Sequence, residues 1–176
     1  MDEAGPRYAE CPSTEAEIVI DAPVDVVWGY VTDINLPARF SNEFRGAEWL
    51  DGATEAAIGA RFRGDNSHPA LGTWQTTCTV TECEPGRSFA YANGEVGEPM
   101  ATWQFRLEQA GEQVRLIQSA RMGPARSGLS IAIDAMPEKE GRIITRRLQE
   151  FHDNMEANIA GMKQLAEGAN GGPDES

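Results

Sequence analysis

Two polar side chains near the middle of the chain have the types that acid–base chemistry uses. Asn66 and His68 follow Phe62 at even spacing, so an extended segment places Asn66 on the face of Phe62, with His68 just beyond it. Imidazole titrates near neutral pH, and an amide can orient carbonyl groups. We therefore take His68 as the candidate acid/base, with Asn66 beside it. The alternative is a loop histidine and a turn asparagine that bond to nearby backbone.

Two further amides fall on stretches that are otherwise apolar. Asn158 lies between Met155, Ile159 and Met162 at helical spacing, and Gln118 alternates with apolar residues of a predicted strand. Because a buried polar atom without a partner costs about 1 to 3 kcal/mol, each amide needs a ligand or a partner within the protein. Both interpretations stay open for both residues.

Aromatic and sulfur-containing side chains recur on the predicted inner faces, as they do around apolar ligands. The alternative for each of them is plain core packing, and Cys78 in particular has the character of a small buried hydrophobe. Tyr91 joins Asn66 and His68 in the candidate catalytic set because its hydroxyl can position a carbonyl. The candidate ligand-binding residues are Trp49, Phe62, Trp74, Thr76, Cys78, Trp103, Phe105, Gln118, Phe151, Met155, Asn158 and Met162.

The chain lacks the motifs that announce phosphate, dinucleotide, nucleophilic-serine or zinc-protease chemistry. Two histidines and three cysteines have no spacing typical of a metal site. We therefore predict no metal and no cofactor. Cys78 and Cys83 share one predicted strand at a spacing that places them on opposite faces, which disfavours a disulfide and fits a reducing compartment.

Composition limits the partners. A net charge of −13 and a pI near 4.5 argue against nucleic acid and anionic membranes, which attract clusters of Lys and Arg. No apolar run approaches the roughly 20 residues that cross a bilayer. We predict a cytoplasmic protein whose partner is a small hydrophobic molecule, with no nucleic acid or membrane partner. The oligomeric state stays open, a homodimer included.

The 176 residues fit one domain. Apolar residues at steps of three and four predict a long amphipathic helix over 137–165, and residues 16–20 predict a first strand followed by two short helices. Residues 1–14 and 168–176 are rich in Gly, Pro, Ser and acids, so we predict flexible tails around a domain of residues 15–167. A loop and a short helix are predicted over 123–136.

Six further strands are predicted between the short helices and the long helix. Turn sequences such as Asp51-Gly52 and Asn93-Gly94 separate them. Two strands alternate clearly between an apolar and a polar face, which predicts an antiparallel sheet with one dry side. The predicted strands span residues 47–50, 60–64, 72–84, 87–92, 100–108 and 113–121.

Several segments together resemble the START-like polyketide cyclase/dehydrase family of the SRPBCC superfamily. The resemblance rests on residues 20–28, 31–33, 46–52, 62–66, 72–74, 79–80 and the helix 146–165, and it covers roughly residues 15–166. It implies an α+β helix-grip fold, in which a curved antiparallel sheet of about seven strands wraps around the C-terminal helix. Members include ligand carriers, hormone-type receptors and aromatase/cyclases, so the resemblance indicates the fold more narrowly than the chemistry.

Three functions follow from these observations. The first is binding of a hydrophobic or aromatic ligand, lipid-like or polyketide-like, in a cavity between the sheet and the long helix. The second is a cyclase or dehydratase in which the cavity folds a ketone chain and His68 moves the proton, with Asn66, Tyr91 and Gln118 positioning carbonyls. The third is a partner-binding module that uses the acidic surface or the segment 123–136. Whether the chain is an enzyme stays open.

Overall fold

The computed structural model describes residues 5–168. Three short 3-10 turns, at Tyr8–Glu10, Leu36–Arg39 and Pro137–Lys139, accompany seven strands and three α-helices. The strands are β1 (Ser13–Ile20), β2 (Phe44–Trp49), β3 (Arg61–His68), β4 (Gly72–Glu84), β5 (Ser88–Gly94), β6 (Pro99–Ala110) and β7 (Gln113–Met122). The helices are α1 (Val24–Val31), α2 (Gly128–Ala135) and α3 (Glu140–Gly168).

All seven strands form one antiparallel sheet in the order β1-β7-β6-β5-β4-β3-β2. Each strand from β2 to β7 therefore pairs with its neighbour in the sequence, as short turns between antiparallel strands favour. The first strand closes the far edge against β7. The curled sheet and the long C-terminal helix confirm the predicted helix-grip fold.

Alternation along the strands sorts side chains onto two faces. In β6, Phe105 and Leu107 are buried on the concave face, whereas Arg106 is exposed on the other. A bulge after Val80 breaks this alternation in β4, so Cys83 pairs with the inward-facing Phe89 and packs against the core. The prediction that Cys78 and Cys83 lie on opposite faces is therefore wrong. Both thiols are nevertheless free.

Helix α3 lies across the concave face and packs chiefly on β1, with smaller contacts to α1 and β7. Its ends differ slightly from the predicted 137–165. Pro137 starts a 3-10 turn before the α-helix begins at Glu140, and the helix continues to Gly168 because the fully buried Ala166 is still part of its packed face. Lys163 donates a hydrogen bond to the Val19 carbonyl at 2.7 Å, which fixes the C-terminal half of α3 to β1.

The N-terminal segment closes the other end of α3. The Tyr8 hydroxyl donates to the Ala125 carbonyl at 2.6 Å, and the Tyr8 amide donates to Glu140 at 2.9 Å. The segment 5–12 belongs to the predicted N-terminal tail of residues 1–14. Through Tyr8 it contacts both the loop after β7 and the start of α3. The remainder of the two predicted tails, residues 1–4 and 169–176, lies outside the described residues.

The segment between β7 and α3 contains the predicted short helix. The Ser127 amide donates to the Ser130 hydroxyl at 3.0 Å, and the Ser130 amide donates to the Ser127 carbonyl at 3.0 Å. Reciprocal contacts of this kind are typical of the first turn of a helix.

Within residues 5–168, no helix combines the length and the apolar character that crossing a bilayer requires.

Candidate functional site

The deep part of the space between sheet and α3 is filled by apolar side chains. Phe89 on β5 and Leu116 on β7 face Met155, Ile159 and Met162 on α3, and none of the five is more than 2% exposed. Phe105 extends this layer on β6, where its ring stacks on Phe89 at 6.5 Å. The candidate residues Met155, Met162 and Phe105 thus belong to a closed layer.

A second group of rings on the same face is only partly buried. Trp103 on β6 meets Phe151 on α3 with ring centroids 5.0 Å apart. Across the sheet, the Phe62 ring on β3 makes edge-to-face contacts with Trp49 and Tyr91, with ring centroids 5.6 Å and 5.0 Å apart. Phe62 is 4% exposed, but the other four rings are half-buried. Solvent therefore reaches part of each of these four residues.

The titratable groups within the aromatic group are neutral. Burial raises the pKa of the Cys78 thiol to about 12, although a hydrogen bond with Thr76 opposes the shift. Burial also raises the pKa of the Tyr91 phenol well above its ordinary value, with the nearby Cys78 adding to it. A protonated thiol is not nucleophilic, so Cys78 has the character of a small hydrophobe.

Gln118 and Asn158 meet each other across the interior. The Asn158 side-chain amide donates to the Gln118 side-chain carbonyl at 3.0 Å. Asn158 is 3% exposed and Gln118 is 5% exposed. Each amide has thus found a partner in the protein. The Asn158 carbonyl oxygen, however, has no hydrogen-bond partner among the described residues.

A network of charged groups lies at the edge of the concave face. Arg147 on α3 donates to both oxygens of Glu43, at 2.8 and 2.5 Å, and to Glu150 at 2.6 Å. Its guanidinium also lies 4.7 Å from the Phe151 ring centroid, within cation–π range. Arg147 therefore joins α3 to the segment before β2 and supports the ring that contacts Trp103.

Burial and charge act in opposite directions on this network. Burial disfavours the charged form of Glu150, but the hydrogen bond and charge of Arg147, with a smaller contribution from His68, lower its pKa below the ordinary value. For Arg147, burial is again outweighed by Glu43 and Glu150, so its pKa is raised. Arg147 and Glu150 are both held in their charged states.

His68 is the last residue of β3 and faces the same network. The Ala70 backbone amide donates to Nδ1 of His68 at 3.0 Å, so the proton of the neutral ring is on Nε2. That Nε2 lies 3.4 Å from a Glu150 oxygen. Both ring nitrogens therefore have protein neighbours, and the imidazole is oriented by α3.

The ligand atoms of Glu43, His68 and Glu150 lie within 4.8 Å of one another, a grouping that could hold a metal ion. Arg147 already supplies a positive charge there, bonded to both carboxylates. A cation would have to compete with a guanidinium that is 11% exposed and doubly paired. We therefore interpret the cluster as an ion-pair network.

Apart from the closed layer and the Gln118–Asn158 pair, the structure separates the predicted site residues into two groups. The first group lies on β3 and β4, toward the end of β3. Asn66 pairs with Phe44 on β2 and with Trp74 on β4, and Thr76 pairs with Gly64. The catalytic candidates are divided, with His68 and Asn66 near the strand ends and Tyr91 in the aromatic group. The predicted lining residues Trp49, Phe62, Trp103 and Phe151 belong to that group, and Cys78 pairs with Phe62 beside it.

Four residues of the site escaped the sequence analysis. Asn93 was predicted in a turn, but β5 continues to Gly94 and alternation with Tyr91 places Asn93 on its concave face. Arg147 and Glu150 are spaced for contact along a helix, as their 2.6 Å hydrogen bond shows. Glu43 is 104 residues away from Arg147, and no local pattern relates the two.

Solved structures confirm the fold class by comparison. The solution structure of the Polyketide_cyc-like protein Cgl2372 from Corynebacterium glutamicum is 24% identical, with 93% of this chain and 96% of that chain covered and a TM-score of 0.63. The di-domain ARO/CYC StfQ from the steffimycin biosynthetic pathway is 17% identical, with 91% and 52% covered and a TM-score of 0.68. TTHA0849 from Thermus thermophilus is 16% identical, with 91% and 100% covered and a TM-score of 0.62.

Sequence comparison places the chain in a family. No curated protein matches it. A protein-family model described as "Polyketide cyclase / dehydrase and lipid transport" matches residues 12–160, which include all seven strands and most of α3. Together with the helix-grip architecture, this match supports a ligand-binding or cyclase role. The chain belongs to the polyketide cyclase/dehydrase and lipid transport family.

Proposed function

We propose that this protein binds a small hydrophobic or aromatic molecule in a cavity between α3 and the concave face of β2–β6. One observation carries the proposal: Trp49, Tyr91, Trp103 and Phe151 are half-buried on a face whose deeper layer is fully buried. Large rings gain most from complete burial, so rings left partly open on a concave surface are typical of ligand pockets.

The position of α3 supports the proposal. The helix packs chiefly on β1, at one edge of the sheet, and the 5.0 Å contact between Trp103 and Phe151 bridges from α3 to the middle strands. Cys78 on β4 and Tyr91 on β5, near that bridge, have raised pKa values and are therefore neutral. A neutral aromatic lining favours an apolar guest over an ionic one.

An Ala101→Leu substitution tests whether the concave face holds a cavity or a solid core. Ala101 lies on the concave face of β6 beside Asn93 and is 8% exposed. A larger side chain fills a cavity without strain, whereas overpacking a solid core costs about 1 to 3 kcal/mol. We expect the wild-type protein to bind the neutral fluorescent probe N-phenyl-1-naphthylamine, and the variant to lose that binding while it keeps its melting temperature.

Ala110→Leu is the matched control, because it makes the same exchange at the exposed end of β6. This variant should bind the probe as the wild type does. No probe binding by the wild type, together with a marked fall in the melting temperature of Ala101→Leu, would mean that protein atoms fill the concavity. Native mass spectrometry against a panel of hydrophobic compounds then identifies ligands that displace the probe.

The second candidate is a cyclase or dehydratase with His68 as acid/base and Asn66, Tyr91 and Gln118 as positioning groups. The observation that favours it is the Glu150 carboxylate 3.4 Å from Nε2 of His68, since a carboxylate can orient a catalytic imidazole. Against it, the Ala70 amide already occupies Nδ1. Cyclisation of a poly-β-ketone that survives in a His68→Ala variant would remove this assignment, whereas its loss with probe binding retained would support it.

A further inference from the structure

Two buried side-chain carbonyl oxygens, one on α3 and one on the sheet, have no hydrogen-bond donor among residues 5–168. One is Oδ1 of Asn158, whose amide nitrogen is bonded to Gln118 at 3.0 Å. The pair therefore presents an unpaired acceptor on Asn158, and a buried acceptor without a donor destabilises the folded protein.

The second unpaired carbonyl is on the opposite wall. Asn93 on β5 lies between Cys78 on β4 and Ala101 on β6, on the same face as Tyr91. Its Oδ1 is buried and has no hydrogen-bond partner among the described residues. The sheet and the helix thus each contribute one acceptor, and the two observations are independent because they rest on different elements.

The amide pair adjoins the aromatic group of the proposed cavity. Gln118 pairs with Phe105 on β6, and the next inward residues of these strands, Ala120 and Trp103, pair with each other. On α3, Asn158 follows Phe151, the partner of Trp103, by two helical turns. A guest among the rings that extends toward the deep layer would approach the Asn158–Gln118 pair.

Charge narrows the chemistry of that guest. The buried polar residues of the described chain are Gln118, Ser130 and Asn158, and none is charged. At the edge of the concave face, the charge of Arg147 is paired with Glu43 and Glu150. A carboxylate or phosphate guest would thus face carbonyl oxygens without a free positive charge, whereas a neutral hydroxyl group could donate to them.

We infer that the guest is a neutral hydroxylated aromatic molecule whose hydroxyl group donates to the acceptor of the Asn158–Gln118 pair. This inference rests on the proposed function, and it selects phenol-like ligands over fatty acids and plain hydrocarbons. Asn93 offers a second acceptor to guests that carry a second hydroxyl group.

Three matched probes test the inference by titration calorimetry on the full chain. We expect 2-naphthol to bind about tenfold more tightly than 2-methoxynaphthalene, which has the same rings without the donor, because one hydrogen bond is worth about that factor. We expect 2-naphthoate, which carries a charge, to bind most weakly. This comparison needs only the wild-type protein.

A Gln118→Leu/Asn158→Leu double variant tests whether this pair accepts the hydrogen bond from the hydroxyl group of the guest. It removes both amides at similar volume, so its melting temperature should equal or exceed that of the wild type. We expect the variant to bind the two neutral probes equally, with 2-methoxynaphthalene affinity retained. Gln164→Leu makes a comparable exchange on the exposed face of α3 and should keep the preference for 2-naphthol.

The outcomes distinguish this inference from the proposed function. Equal binding of the two neutral probes by the wild type, or tighter binding of 2-naphthoate, would overturn the hydroxylated guest and leave a hydrophobic cavity in place. A preference for 2-naphthol that persists in the folded double variant would overturn the assignment to this pair. No binding of any probe would overturn the proposed function together with the inference.

Discussion

The Cys78 thiol shows how burial sets reactivity at a single residue. It is 4% exposed, and burial raises its pKa to about 12 even though Thr76 opposes the shift. Because the thiolate is the reactive form, we expect Cys78 to resist iodoacetamide in the native protein at about pH 8 and to react fully after unfolding in guanidinium chloride. Mass spectrometry of proteolytic peptides measures both states.

Cys11 serves as the internal comparison for this labelling, because it is half-buried in the same molecule. Native modification of Cys78 at the rate of Cys11 would mean that water and reagent reach the concave face freely. Such a result would contradict the burial on which the neutral character of the aromatic group depends.

The face on which a side chain lies was predictable where a short sequence pattern determines it. Alternation in β7 predicts Gln118 on the inner face, and helical spacing predicts Asn158 on the buried stripe of α3; both side chains are buried. Their hydrogen bond joins positions 40 residues apart, and the pairing of Glu43 with Arg147 spans 104 residues. Such contacts depend on the assembled fold, so no local pattern contains them.

Helix α3 approaches the segment after α1 closely at Gly161. A Cβ atom built on Gly161 would lie 2.4 Å from ring atoms of Phe40. An Ala normally favours a helix interior over Gly by about 0.5 to 1 kcal/mol. Here the ring must shift, so we expect Gly161→Ala to lower the free energy of unfolding by about 1 to 3 kcal/mol in urea titrations.

Gly29→Ala in α1 is the control for this element, since nothing lies within 4 Å of a Cβ built there. It should be neutral or stabilise the protein by up to about 1 kcal/mol. If Gly161→Ala were as stable as Gly29→Ala, Phe40 would be free to move and would not fix the height of α3 above the sheet.

Elements were predictable to the extent that periodicity persists along them. The long helix follows from helical spacing, and the strands follow from the turn sequences between them and, in two strands, from clear alternation. Strand β4 matches its predicted limits at Gly72 and Glu84. Two features did not follow. The bulge after Val80 turns Cys83 inward, and β3 continues past Gly64 to His68, because pairing with β4 extends a strand whose own sequence is polar.

The whole molecule combines a predictable frame with an interior that the sequence leaves open. Consecutive antiparallel strands and one terminal helix define the helix-grip arrangement, since short turns join neighbours in the sheet. The extent to which side chains fill the space under α3 depends on the sum of many packing contacts across elements. Parity assigns Trp103 and Tyr91 to that space, but it does not determine how much of each ring is covered.

Global stability should depend on acid through the network that joins α3, β3 and the segment before β2. Arg147 and His68 lower the pKa of Glu150 in the folded protein, against the effect of burial. The folded state thus binds the proton less readily than the unfolded state, so this stabilisation is complete above the ordinary glutamate pKa and disappears as the pH falls through the lowered value. The expected result is acid destabilisation, most marked below about pH 5.

A Glu150→Gln variant isolates that contribution, because it removes the charge but keeps the shape of the side chain. We expect it to be less stable than the wild type by on the order of 1 kcal/mol at pH 7, since a partly buried ion pair is lost, and the difference should shrink toward pH 3. Glu112→Gln in the exposed turn between β6 and β7 changes the net charge equally and should show a much smaller difference. Urea unfolding across this pH range measures all three proteins. A Glu150→Gln deficit that stays constant down to pH 3 would mean that the network stabilises through packing rather than through charge.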